Sequence, residues 1–394
     1  MIVELPETQE RARGELDLQT GLGLALTATK GYAAAETGRA YAQARKLCED
    51  LADTSALVRV GYGQYLYHLI RAEVDQCYQV ATEILSFAER TGSDEARILG
   101  HRTLGVSLFE CGRLTDGRSH LETAANLLEH HQQQGMATRG DAGITIPAWL
   151  AFILALQGYP DLARRTRDLS VQEANATKSL HSRAFGSAFA TGTTCLLREF
   201  EELLPRAEAL CALAIELDFP FMLAWGLAFR GIANSYLGGA DGEQATHDGL
   251  ALYRQTGSKW ALPFWLGCYV SAASPSEVKS TELIREGLDA VNTTGERWFE
   301  AELYRLRGVF ARLSQSSDAG RTWDDLYAAK RIAAQQGAKL LELRAATSLA
   351  RLCGDEGRPS EALDLLAPVY IWFTEGFDTR DLKEAKKLLD ELSS

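Results

Sequence analysis

Paired cysteines, phosphate loops, long apolar runs and blocks of like charge are all missing from this chain of 394 residues. Its seven cysteines, Cys48, Cys77, Cys111, Cys195, Cys211, Cys268 and Cys353, are widely spaced, odd in number and without a CxxC pair. That is the pattern of free thiols in a reducing compartment, not of a disulfide framework or a zinc site. No Gly-Lys dipeptide occurs, which excludes the GxxxxGK[ST] loop that cradles nucleotide phosphates. Gly21-Leu22-Gly23 and Gly61-Tyr62-Gly63 lack the third glycine and the preceding strand of a dinucleotide fingerprint. The GxSxG elbow of serine hydrolases and the HExxH helix of zinc proteases are absent too. His130-His131 is the one adjacent histidine pair; side chains one residue apart on a helix diverge by about 100°, poor geometry for one metal, so a surface position is expected.

The most apolar run, Ile144 to Leu156, is 13 residues long and contains Thr145 and Pro147, which suits a buried helix and is too short to span a bilayer. Met1 to Thr8 has neither a basic start nor an apolar core, so no secretory signal is expected. The net charge is −12 and no basic stripe appears; nucleic acid, bound through clustered cations, is therefore an unsuitable partner. A cytoplasmic, non-enzymatic protein without cofactor, metal or membrane attachment is the expectation.

What the chain does have is a rhythm. Short polar or glycine-bearing stops break helical text near Gly92, Gly135, Asp218, Gly257, Gly295, Gly337 and Gly376. Glycine ends a helix in the left-handed conformation at little steric cost. A second, weaker set falls near Gly31, Glu73, Gly112, Gly158, Glu199, Gly239, Pro275, Ser317 and Gly357, at spacings of 42, 39, 46, 41, 40, 36, 42 and 40 residues. Two interleaved series at this period mark stacked helix-turn-helix units. The reading is an all-α fold, an α-solenoid of about nine tetratricopeptide-like helical hairpins. Residues 1–9 form an N-terminal lead, 10–378 the solenoid and 379–394 a C-terminal capping helix. That last helix starts at a capping threonine, Thr379, and repeats Leu382, Ala385, Leu388 and Leu389 at helical spacing. Pro147 and Pro263 are expected in first turns of helices, where a missing N–H is tolerated.

Within one unit, Leu104-Gly105 and Leu108 lie on the first helix and Gly117, Leu121 and Ala124 on the second, small residues that let the pair approach closely. Repeat register places Arg102, Val106 and Phe109 on the inward face of the first helix, and Arg305 and Arg312 in similar places further on. These five are the candidate partner-binding residues. The arginines either clamp a carboxylate or acidic peptide, or pair with acidic neighbours in the next unit. Trp149, Trp225, Trp260, Trp265 and Trp298 fall on or near successive first helices; they either fill inter-helix packing, as the repeat pattern asks of a large aromatic there, or line a ligand pocket.

Three stretches carry a resemblance: Gly295-Glu296-Arg297-Trp298-Phe299-Glu300-Ala301-Glu302-Leu303-Tyr304-Arg305, then Leu341-Glu342-Leu343-Arg344-Ala345-Ala346, then Trp372-Phe373-Thr374-Glu375-Gly376-Phe377-Asp378-Thr379. The chain resembles the tetratricopeptide tail of large bacterial proteins that join a class III adenylate/guanylate cyclase domain, or a DNA-binding regulator domain, to a predicted signalling ATPase. Leu5-Pro6-Glu7-Thr8 looks like the junction at which such an ATPase gives way to the repeats. The resemblance implies a sensing or partner-binding tail. It assigns no catalytic residue here, because the cyclase and ATPase domains have no counterpart in the sequence. The implied partner is a protein or peptide, a cyclase or ATPase domain among the possibilities. The first helix, with Leu16, Leu18, Leu22, Leu24 and Leu26, is expected to leave an apolar face that a neighbouring domain covers or a second copy pairs with in a homodimer.

Overall fold

The computed structural model describes residues 8–133, 140–273, 277–313 and 319–394. Among these residues the chain forms nineteen helices and no strand. They are α1 (Gln9–Lys30), α2 (Ala35–Asp50), α3 (Thr54–Ile70), α4 (Val74–Thr91), α5 (Asp94–Glu110), α6 (Leu114–Gln133), α7 (Gly140–Leu156), α8 (Pro160–Ala176), α9 (Leu180–Leu196) and α10 (Phe200–Glu216). They continue with α11 (Pro220–Leu237), α12 (Gly242–Gln255), α13 (Leu262–Ala273), α14 (Glu277–Thr294), α15 (Glu300–Leu313), α16 (Ala319–Gln336), α17 (Lys339–Asp355), α18 (Pro359–Ile371) and α19 (Arg380–Leu392). Consecutive helices pair into hairpins, and odd-numbered helices pack against one another along the inside. No helix among the described residues is long and apolar enough to cross a membrane.

Local chemistry explains the helix ends. Asp53, Ser93 and Ser179 accept the backbone N–H three residues on and so start α3, α5 and α9. Gly92 and Gly238 close α4 and α11 in the left-handed conformation. The stops expected at Gly135, Pro275 and Ser317 lie outside the described residues, as does most of the junction segment 5–8. Among the described residues five turns carry no glycine: α2, α3, α9 and α10 end through Ala52, Ala72, Arg198 and Asp218, each at positive φ, and α8 ends through residues 177–179; those after α2 and α8 fall at none of the expected stops.

Three expectations need correction. Pro147 lies well inside α7, not in its first turn. His131 is buried, 6% exposed, rather than on the surface. Thr379 does precede α19, but its side chain makes no capping hydrogen bond; Asp381, two residues on, does the work that anchors this end, through Arg198 and Arg344.

The α5–α6 pair shows why small residues recur. A Cβ on Gly105 would lie 2.9 Å from the Gly117 carbonyl oxygen and 2.8 Å from Leu121 Cγ. The two backbones are in contact there, and a side chain would force them apart.

The solenoid also closes on itself. Ile70, last residue of α3, accepts the backbone N–H groups of Lys259 and Trp260, at the entry to α13. Glu110, last of α5, accepts from Arg297 at the entry to α15, and Leu196, last of α9, accepts Arg344 Nη2 of α17. Gly158, just past α7, abuts Lys339 of α17. Orphan carbonyls at helix C-termini need partners when buried; here they find them on helices eight or ten further along, four or five hairpins away. One superhelical turn thus rests on the next, and first helices midway along the chain are buried on nearly every side. In α7 every residue from Gly143 to Leu156 is buried.

Candidate functional site

The inner surface is filled by aromatic rings. Phe109 lies tilted 4.9 Å from Trp298 and edge-on 5.6 Å from Trp149, Trp225 lies 5.2 Å from both Trp260 and Trp265, and Phe264 bridges Trp265 and Trp298. Offset and edge-on contacts of this kind add to the burial of large apolar area. All five inner tryptophans are buried, so packing is their first role.

The filling stops short between α3, α5, α7, α9 and α11. A cavity of about 110 Å³ remains there, walled by Tyr62, Val106, Trp149, Phe185, Trp225 and Trp260 among others. Exposed Asp141 and His181 and half-buried Tyr32 mark its mouth. Its polar end is Arg102, whose side chain is 7% exposed. Arg102 Nη1 donates to Asp141 Oδ2 and to Thr145 Oγ1, each at 2.8 Å, and the guanidinium sits 4.8 Å over the Tyr62 ring. Burial opposes its charge, but Tyr62 and Asp141 outweigh burial and hold its pKa above the ordinary value. Burial likewise pushes the Tyr62 hydroxyl up to about 12. Desolvation lowers His181, which hydrogen-bonds the Tyr32 hydroxyl and stacks on Phe219. Trp225 Nε1, in the cavity wall, is buried with no hydrogen-bond partner.

A second, larger space of about 290 Å³ lies between α9, α11, α13, α15, α17 and α19. Its charges are mutually engaged. Arg305 grips Glu302 through Nε and Nη2 at 2.9 and 2.7 Å, and Arg344 and Arg198 hold Asp381 at 2.9 and 2.8 Å. Burial opposes the Asp381 charge, yet the two arginines keep its carboxyl well below the usual carboxylate range. Cys195 and Cys268 face each other in this wall with sulfurs 3.9 Å apart.

The five candidate residues therefore separate. Arg102 and Val106 line the aromatic cavity. Phe109, fully buried, lies behind it in the packed core. Arg305 lines the ionic space, and Arg312 pairs with Asp355 of the next hairpin. The opposite wall, His181, Phe185, Phe221 and Trp225, is supplied by helices two and three hairpins further on, which register within one unit does not bring to view.

No protein-family model and no curated protein sequence matches the chain. Solved structures do. The Rap protein complexed with Competence and Sporulation Factor superposes on 98% of this chain and 100% of its own, with a TM-score of 0.61 at 14% identity. NprR in complex with its cognate peptide NprX covers 97% and 99%, with a TM-score of 0.57 at 15% identity. The apo quorum sensor NprR from B. thuringiensis covers 98% and 99%, at 0.50 and 16%. The fold is a tetratricopeptide-like α-solenoid. At these identities the likeness is one of fold.

Proposed function

We propose that the chain is a non-enzymatic sensory module that binds a short peptide or a protein segment at its inner face, with Arg102 and Val106 in the binding wall. The observation that carries this reading is the cavity itself: of the two spaces among the inner helices, this one is walled by rings around one buried guanidinium, whereas the charges of the larger one are engaged with each other. Concave, mostly apolar sites with a few placed polar groups are the usual form of a binding site. The similar folds of Rap with Competence and Sporulation Factor and of NprR with NprX support a peptide as the ligand. Seven free thiols fit a reducing, cytoplasmic setting. The test is capture: the full chain is dialysed against a peptide pool from source cells, and retained peptides are identified by mass spectrometry. Retention by wild type and loss with Val106→Phe, which fills the cavity, supports the reading; a pool that passes unretained refutes it.

A second reading, the regulatory tail of a cyclase–ATPase signalling protein, is favoured by one observation. Leu18, Leu22 and Leu24 of α1 are 59%, 47% and 62% exposed, while Leu16 is buried. Such a row is covered by an attached domain or a second copy in this reading. Sedimentation of wild type beside Leu18→Glu/Leu24→Glu separates the two: a dimer that the substitutions dissociate identifies the copy as the cover.

A further inference from the structure

We infer that the aromatic cavity receives the carboxyl end of its ligand: a bulky apolar last residue whose free carboxylate is held by Arg102. This rests on the binding reading above and names the chemistry of that same site.

Arg102 is the first ground. Its hydrogen bonds to Asp141 and Thr145 both use Nη1, and beyond these the guanidinium faces the Tyr62 ring and hydroxyl. A guanidinium carries five N–H donors in a planar fork, and its Nε–Nη2 edge matches the two oxygens of a carboxylate. Trp225 is the second ground. Its indole N–H can only donate, and it is buried in the wall without an acceptor. A ligand oxygen would supply one. The third is sign. An amine would lie beside the buried Arg102 charge, whereas Asp141, 54% exposed at the mouth, can turn to water when a ligand carboxylate takes its place. The fourth is size. An apolar cavity of about 150 Å³ holds benzene, so the smaller space of about 110 Å³ here suits one apolar side chain of about leucine size and not a length of helix.

The test uses tryptophan fluorescence of the full chain, since Trp149, Trp225 and Trp260 line the cavity. Probes are hexapeptide mixtures with the last residue fixed as Phe or Leu, each as free acid and as C-terminal amide, and N-acetylphenylalanine. The expected result is that the acids bind at least about tenfold more tightly than the amides, that Arg102→Met removes this preference, and that Asp141→Asn keeps or enlarges it. Asp141 is exposed, so its variant serves if Arg102→Met does not fold. N-acetylphenylalanine binding as tightly as the hexapeptide acids supports the same chemistry with a small acid as its source. Amides equal to or tighter than acids overturn the inference and leave the peptide reading standing. Failure of every probe, while native peptides are retained in the capture experiment, does the same. Failure of both experiments removes the binding reading itself.

Discussion

The indole N–H of Trp260 donates to Glu110 Oε1 at 2.8 Å, joining residues 150 positions apart. Glu296 answers it from the other side, accepting the Ala261 N–H and the Trp298 indole at 2.9 Å each. Two carboxyl groups thus lie in the seam between superhelical turns, both buried.

Burial pushes the Glu296 carboxyl up to about 8 and Glu110 well above the usual range, the neighbouring Glu296 adding to the latter. A folded-state pKa above the unfolded value means that the protonated form favours the fold. That contribution is complete below about pH 4.5 and is lost as pH rises through about 8. Glu296→Gln keeps the carboxyl's shape and cannot ionise, at a cost that is the same at every pH because its NH2 cannot accept as one of the two oxygens does. Its stability relative to wild type should therefore improve with pH by up to about 1.4 kcal/mol per unit, measured as denaturant midpoints between pH 5 and 8.5. A constant difference across that range contradicts this account of the seam.

The contact of Gly105 with Gly117 makes a sharper steric prediction. Gly105→Ala should destabilise by roughly 1–3 kcal/mol, since neither backbone can retreat. Gly14, in α1, has nothing within 4 Å of a new Cβ, so Gly14→Ala should stabilise by roughly 0.5–1 kcal/mol. Urea unfolding of the two variants side by side checks both signs.

Asp381 holds α19 against the rest. Asp381→Asn leaves buried Arg344 with only the longer contact to Glu302 at 3.8 Å, which should cost up to about 3–5 kcal/mol and release α19 first. Because the Asp381 carboxyl is depressed by Arg344 and Arg198 against the pull of burial, its contribution is present above the ordinary carboxylate pKa and is lost as pH falls below it. Amide exchange in Arg380–Leu392 should accelerate in the variant at pH 7 and in wild type only in strong acid. Unchanged exchange in the variant would show that α19 is held by its leucines alone.

The hairpin count was legible because most helix ends use glycine or a polar stop, and the solenoid followed from their spacing. Turns through Ala52 and through 177–179 left no such mark, since alanine adopting a positive φ looks like any helical alanine in text. Closure of the superhelix was not legible either. Ile70 with Lys259, and Leu196 with Arg344, join hairpins five and four units apart through backbone oxygens, and a carbonyl has no sequence signature. Arg102 and Arg305 held equivalent places in the repeat, but Arg102 meets its carboxylate through Nη1 alone, whereas Glu302, three residues before Arg305, takes both Nε and Nη2 of that arginine.

The most direct measurement is hydrogen–deuterium exchange of the full chain with and without the retained peptides. The account predicts added protection in α3, α5, α7, α9 and α11 around Arg102, Thr145, Ser182 and Met222, with α15 and α17 unchanged. Protection confined to the outer, even-numbered helices, or to the space around Arg305 and Arg344, would contradict it.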